Sequence, residues 1–221
     1  GPILNGFADT HAHMMAHLGF GGKLIYGFPD AEVDQCLPGA HAALTVERLV
    51  TNDEKNKRQL EGGEFRHGRK GAGEGAEDAW PNFRDVVHQK IHTNTLQDAH
   101  RRGLKVMVMS AVSNSGACKV FFLNNPVPQG SGAAPNCDDM TNITVQLDAI
   151  RDYATRNQAW MGIAETPWHA RQLIRNNKLA VVLRVETSGL FPKTDGPLVR
   201  APFVDQLQDL YLKGVRSLQI V

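Results

Sequence analysis

Short apolar runs alternate along this chain with longer amphipathic segments. Leu104-Lys-Val-Met-Val-Met-Ser-Ala-Val112, Lys178-Leu-Ala-Val-Val-Leu-Arg-Val-Glu186 and Val215-Arg-Ser-Leu-Gln-Ile-Val221 are rich in apolar and β-branched residues, as buried strands of a parallel sheet are. The run from Ile3-Leu4 through Phe7-Ala8 predicts a further buried strand, ending at His11. Four segments have helical spacing. Phe83 to Arg102 sets Val86, Val87, Ile91, Leu96 and Ala99 near one face, with Gly103 as a stop. Asn142 to Gln158 does the same with Val145, Leu147, Ile150, Tyr153 and Ala154. Thr166-Pro167 starts a third helix, with Ala170, Leu173 and Ile174 inward and Asn176-Asn177 at its end. Ala201 to Lys213 is the fourth, through Phe203, Val204, Leu207, Leu210 and Tyr211, stopped by Gly214. Four strands alternating with helices predict a parallel α/β arrangement.

Other stretches lack a period. Met14 to Pro38 is Gly- and aromatic-rich and reads as a long loop at the strand ends, where loops shape pockets. Residues 52–79 mix charge with glycine and hold too few apolar residues to bury, so they read as a flexible surface insertion with His67 solvated. Their glycines do not follow a strand, which argues against a phosphate loop. Cys118 and Cys137 flank a Pro/Gly/Asn-rich loop. They are expected to form a disulfide, against the alternative of two free thiols; closing a loop of this length adds roughly 3 kcal/mol. A disulfide would imply an oxidising compartment. Cys36 is left over and reads as a small buried hydrophobe.

Composition narrows the class. The 221 residues, 42% hydrophobic and 21% charged, suit one ordinary domain with a real core. A net charge of +1 gives no electrostatic case for nucleic acid or an anionic membrane. No apolar run is long enough to cross a bilayer.

The candidate chemistry begins at Asp9-Thr-His11-Ala-His13. Side chains two apart on a strand share a face, so both imidazoles would point the same way. Neutral imidazole is a common ligand for Zn²⁺ and similar ions; the alternative is a turn with one ring packed and one solvated. Glu186 ends an apolar run, and a carboxylate there needs a partner. Arg184, on the same strand face, is one candidate; a metal shared with His11 and His13 is the other. His17 reads as packed or solvated, with a third ligand as the alternative. His88 and His92 lie four apart, but Gln89 replaces the glutamate of a His-Glu-x-x-His site, so they read as helix-surface residues. Glu165 reads as a solvated residue near a helix N-terminus or as a ligand, and Asn114 as an Asx turn or a substrate contact.

Asp9-Thr-His11-Ala-His13 after a first strand resembles the opening of the amidohydrolase-type metallohydrolases, which are (β/α)8 barrels. Phosphoesterases and nucleases of related folds open in the same way. Two further stretches are similar to the membrane (renal) dipeptidase family: Lys178 to Glu186 to its third strand, and Leu210 to Val221 to its next helix end and fourth strand. The insertions at 14–82 and 113–140 are not covered. Carried over, His11 matches the histidine of the family's His-x-Asp, His13 stands at the aspartate position as another ligand-capable residue, and Glu186 matches the glutamate that bridges two zinc ions. The resemblance implies an α/β fold, the N-terminal half of a (β/α)8 TIM-type barrel with long loop insertions. It implies one or two divalent ions, zinc in the family, held by His11, His13 and Glu186, with Glu186 catalytic. The implied activity is hydrolysis of a peptide or amide bond in a small substrate, outside the cytoplasm. The remaining strands, with further ligands, are expected from a C-terminal half, either a second chain or residues beyond Val221. The alternatives are a phosphoesterase or nuclease of similar barrel fold, against which the near-neutral charge counts, and a non-catalytic binding module.

Overall fold

The computed structural model describes residues 5–22, 29–30, 91–124, 136–187, 189 and 200–220. The insertion at 52–79, Cys36, His67, His88 and the expected helix residues before 91 lie outside them.

All strand pairings are parallel. The strands are β1 (Phe7–Ala12), β2 (Leu104–Ser113), β3 (Met161–Ile163), β4 (Leu179–Thr187) and β5 (Val215–Ile220). β2 lies between β1 and β4. The far edge of β4 is shared: β3 pairs with Leu179–Val181 and β5 with Leu183–Thr187. Leaving aside short β3, the strands succeed one another across the sheet in chain order. That is the order of a barrel wall, and the sheet is compatible with a partial α/β barrel.

The helices are α1 (Thr93–Arg101), α2 (Ser115–Asn124), α3 (Asp139–Arg156), α4 (Pro167–Arg175) and α5 (Arg200–Leu212). The long α3 packs on β2, β3 and β4, and α4 packs on β3 and β4. Strand alternation divides the sheet into two faces. Met107, Met109 and Ala111 of β2 and Leu179, Val181, Leu183 and Val185 of β4 are buried in one cluster with Ile143, Leu147, Ile150 and Tyr153 of α3. The opposite face carries Val106, Val108, Val112, Val182, Arg184 and Glu186, all half-buried.

Capping defines the helix starts. Asp138 precedes α3 and accepts from Thr141 N at 2.7 Å and Thr141 Oγ1 at 2.6 Å. The Thr141 side-chain and backbone hydrogen bonds hold its carboxyl below the usual carboxylate range, because they favour the charged form. Thr166 caps α4 by accepting from His169 N at 3.0 Å, with Pro167 at the first turn as expected. Gln146 of α3 does unusual work. It is fully buried. Its Oε1 accepts from Val112 N at 3.1 Å and its Nε2 donates to Val112 O at 2.8 Å. β1 pairs with β2 only as far as Met109, so Val112 lies beyond its reach. The amide of Gln146 pairs these backbone groups where β1 no longer does.

Several expectations need correction. The described residues form five strands rather than four, because Met161–Ile163 also joins the sheet. β1 begins at Phe7 and ends at Ala12, so His11 lies on it and His13 directly follows it, and most of it is exposed rather than buried. Within Met14 to Pro38, Met14, Met15 and Ala16 are core residues, and Ala16–Leu18 and Phe20–Gly22 form 3₁₀ turns. α1 starts only at Thr93. His92 is not on a helix surface: it is a buried cap, its Nδ1 accepting from Asn94 N at 3.2 Å. Val145, Val204 and Tyr211 were expected inward but are exposed; the inner face of α3 uses Ile143 and Gln146 instead. α2 was not anticipated. Asn114 directly precedes it and caps it, its Oδ1 accepting from Ala117 N at 2.8 Å, as the Asx-type reading expects.

Cys118 and Cys137 are at disulfide-bonding distance, their Cα atoms 5.6 Å apart. Such a pair is at home in an oxidising compartment. No helix among the described residues is long and apolar enough to cross a membrane.

Candidate metal centre

The structure brings His11, His13 and Glu186 together from strands separated by β2. His11 Nε2 lies 2.7 Å from Glu186 Oε2 and 3.0 Å from His13 Nε2. His13 Nε2 lies 3.5 Å from the same carboxylate oxygen. Among the described residues this is the one group of three or more histidine, cysteine or acidic side chains spaced to hold a metal ion. The Glu186 side chain is 14% exposed, against 41% for His11 and 33% for His13, so the carboxylate forms the floor and the imidazoles the rim.

Local structure explains the convergence. β1 advances three residues from Asp9 to Ala12 while β2 advances two, from Met107 to Met109. One extra residue therefore sits in β1 at the motif, and bulges of this kind re-aim side chains. Asp9 Oδ1 accepts from His11 N at 3.0 Å and steadies the irregular stretch. On the other side, Glu186 pairs in register with Val112 of β2, near the sheet's C-terminal edge.

Hydrogen bonding also fixes a tautomer. His13 Nδ1 lies 3.2 Å from the backbone oxygen of Ser110. A carbonyl only accepts, so Nδ1 carries the proton and the neutral ring presents a lone pair at Nε2. That lone pair faces His11 Nε2 and, further off, Glu186 Oε2. Two imidazole nitrogens and a carboxylate oxygen this close repel unless a hydrogen on His11 Nε2, as in the neutral tautomer that donates to Glu186, or a metal ion stands among them. The donor set suits an ion: at bond lengths of about 2.0–2.1 Å, tetrahedral ligand atoms lie roughly 3.3 Å apart, and the spacings here run from 2.7 to 3.5 Å.

The other candidates fall elsewhere. Arg184 does not pair with Glu186. Its Nε donates to Ser217 Oγ at 3.0 Å and its Nη1 to Gln219 Oε1 at 3.3 Å, both on β5. Glu165 meets Arg216 at 3.1 Å. It follows β3, which pairs with the first residues of β4, whereas Glu186 is near the other end. His17 is outside the group; burial pushes its imidazole down from 6.5 to about 4, so it stays neutral near pH 7. Asn114 caps α2. Two contributors, the Ser110 carbonyl and the Gln146 amide, carried no sequence signal: one acts through its backbone, and the other is a polar residue on a helix's buried face.

No protein-family model and no curated protein matches the chain.

Proposed function

We propose that this chain carries the metal-binding strands of a metal-dependent hydrolase, of the dipeptidase-like branch, that cleaves a peptide or amide bond in a small substrate. The observation that carries this reading is the convergence of His11 Nε2, His13 Nε2 and Glu186 Oε2 at strand ends that belong to residues 175 positions apart. Catalytic sites of parallel α/β barrels lie at that end of the sheet. When bound, a divalent ion, for which we propose zinc, would acidify a water and polarise the substrate carbonyl.

The chain's own residues have separable roles. His13, its tautomer set by the Ser110 carbonyl, and His11, carried on the β1 bulge, would hold the ion from the rim. Glu186 would neutralise its charge from the floor and is the acidic group best placed to meet a reacting proton. A two-ion centre needs more than three donors. We propose that these come from further strands that extend the sheet at its β1 and β5 edges. The cysteine pair supports a site of action outside the cytoplasm.

Metal content of the purified protein, measured beside His11→Ala and Glu186→Ala, tests the site. Both variants should lose most of the bound metal and all activity on dipeptides. Unchanged metal content in both would refute the assignment. Hydrolysis of phosphodiesters but not dipeptides would replace the reaction while leaving the metal site intact.

A further inference from the structure

Arg184 is the strongest feature the metal group does not use. It lies on the same sheet face as Glu186, two residues earlier on β4. It is half-buried, and both of its hydrogen bonds go to neutral side chains, Ser217 and Gln219. It makes no ion pair among the described residues. A guanidinium cannot shed its proton, so withdrawing it from water without an anion is costly. Register shows where it reaches. Arg184 pairs with Ser217 and Glu186 with Gln219, so a side chain that bonds both Ser217 and Gln219 extends from its own level toward that of Glu186. The guanidinium thus stands on the β5 side of Glu186, while the carboxylate leans the other way, to His11. Ser110, opposite Arg184 on β2, adds a buried hydroxyl with no hydrogen-bond partner among the described residues. The face therefore holds a metal-ligand group at one side and, about one strand spacing of 5 Å across, a cation in search of an anion.

We propose that Arg184 is an anion-recognition residue of this site, the group that receives the carboxylate a dipeptide carries beside the bond to be cleaved. Ser217 and Gln219 hold the guanidinium by Nε and one terminal nitrogen, leaving the other free to receive the carboxylate. The inference rests on the hydrolase reading for the word substrate, but the anion preference is measurable without turnover.

The test compares two ligands that differ only in charge, N-acetylalanine and N-acetylalaninamide, titrated calorimetrically into the metal-loaded protein. The acid is expected to bind about 10- to 100-fold tighter, as a charge-assisted hydrogen bond provides. Arg184→Gln should remove that preference and Arg184→Lys should keep part of it, with thermal melting verifying that both fold. Equal binding of the two ligands, binding of neither, or an undiminished preference in Arg184→Gln would overturn the proposal. A preference that vanishes with Arg184→Gln in a protein that hydrolyses neither dipeptides nor acyl amino acids would leave Arg184 standing and remove the hydrolase reading.

Discussion

Replacing Gln146 by leucine tests how the sheet end beneath the metal group is held. Leucine is close in volume, so the cavity left behind is small and the effect isolates the lost hydrogen bonds. Gln146 accepts from Val112 N at 3.1 Å and donates to Val112 O at 2.8 Å and Asn142 O at 3.0 Å. Asn142 O belongs to the helix backbone and loses little. Val112 N and O lose their side-chain partner next to a fully buried position. Leaving a buried polar group unsatisfied costs about 1–3 kcal/mol; Val112 is half-buried, so water recovers part, and about 2–4 kcal/mol is expected for the pair. For a protein of this size each kcal/mol moves the melting temperature by about 2–4 °C, so the variant should melt roughly 4–16 °C lower. The control is Val145→Thr, one residue away and exposed, which should move the midpoint by no more than a degree or two. Differential scanning calorimetry of the three proteins decides the matter. If Gln146→Leu melts within the range of the control, the side-chain amide is not what holds this end of β2, and the packing of α3 alone must be.

Two further outcomes follow. Burial lowers the His17 pKa from 6.5 to about 4, so the unfolded chain takes up a proton before the folded one does, and stability is lost as pH falls from about 6.5 toward 4. The full shift corresponds to about 3 kcal/mol; residual solvent contact reduces this to about 1–2 kcal/mol, and His17→Leu should flatten the stability–pH curve by that amount in urea titrations, an unchanged slope counting against it. Reduction of the Cys118–Cys137 pair, or Cys118→Ala with Cys137→Ala, should lower stability by about 3 kcal/mol through freer loop ends in the unfolded chain, and equal denaturant midpoints with and without reductant would show that the pair is not bonded in solution.

The strand cores were legible in sequence because each is a continuous apolar run with few competing signals. β2, β4 and β5 agree with their apolar segments to within about a residue, within ordinary boundary uncertainty. β3 was missed because three residues carry no period; only the apolar stretch around Met161, between the end of α3 and the Thr166 cap, marked it. Helix faces were less secure. Val145 fits an apolar stripe yet faces solvent, because tertiary packing rotates α3 to bury Gln146 instead, and Val204 of α5 faces solvent as well. At the site, the His-x-His spacing and the terminal Glu186 pointed to the residues that converge, but not to how. Arg184 was an equal candidate for Glu186 by strand alternation, and only the register with β5 showed it turning away. The bulge that aims His11 and the carbonyl that orients His13 are backbone features, so side-chain identity could not reveal them.

The order of the strands explains why such a site tolerates long inserted segments. His11 and Glu186 are 175 residues apart in the chain, but β1, β2 and β4 are neighbours in the sheet. Their relative positions are set by pairing register and by one bulge, not by the segments between. Closing a longer loop is inexpensive, about 0.6 kcal/mol for each doubling of length, so the segment between His13 and α1 can be long without displacing either donor. β2 supplies no side chain to the group. It supplies the spacing across which His11 reaches Glu186 and the Ser110 carbonyl that leaves His13 Nε2 a ligand. The geometry of this centre is therefore encoded in strand backbones, and substitutions that alter the β1 bulge or the end of β2 bear on it more directly than changes of any size in the loops.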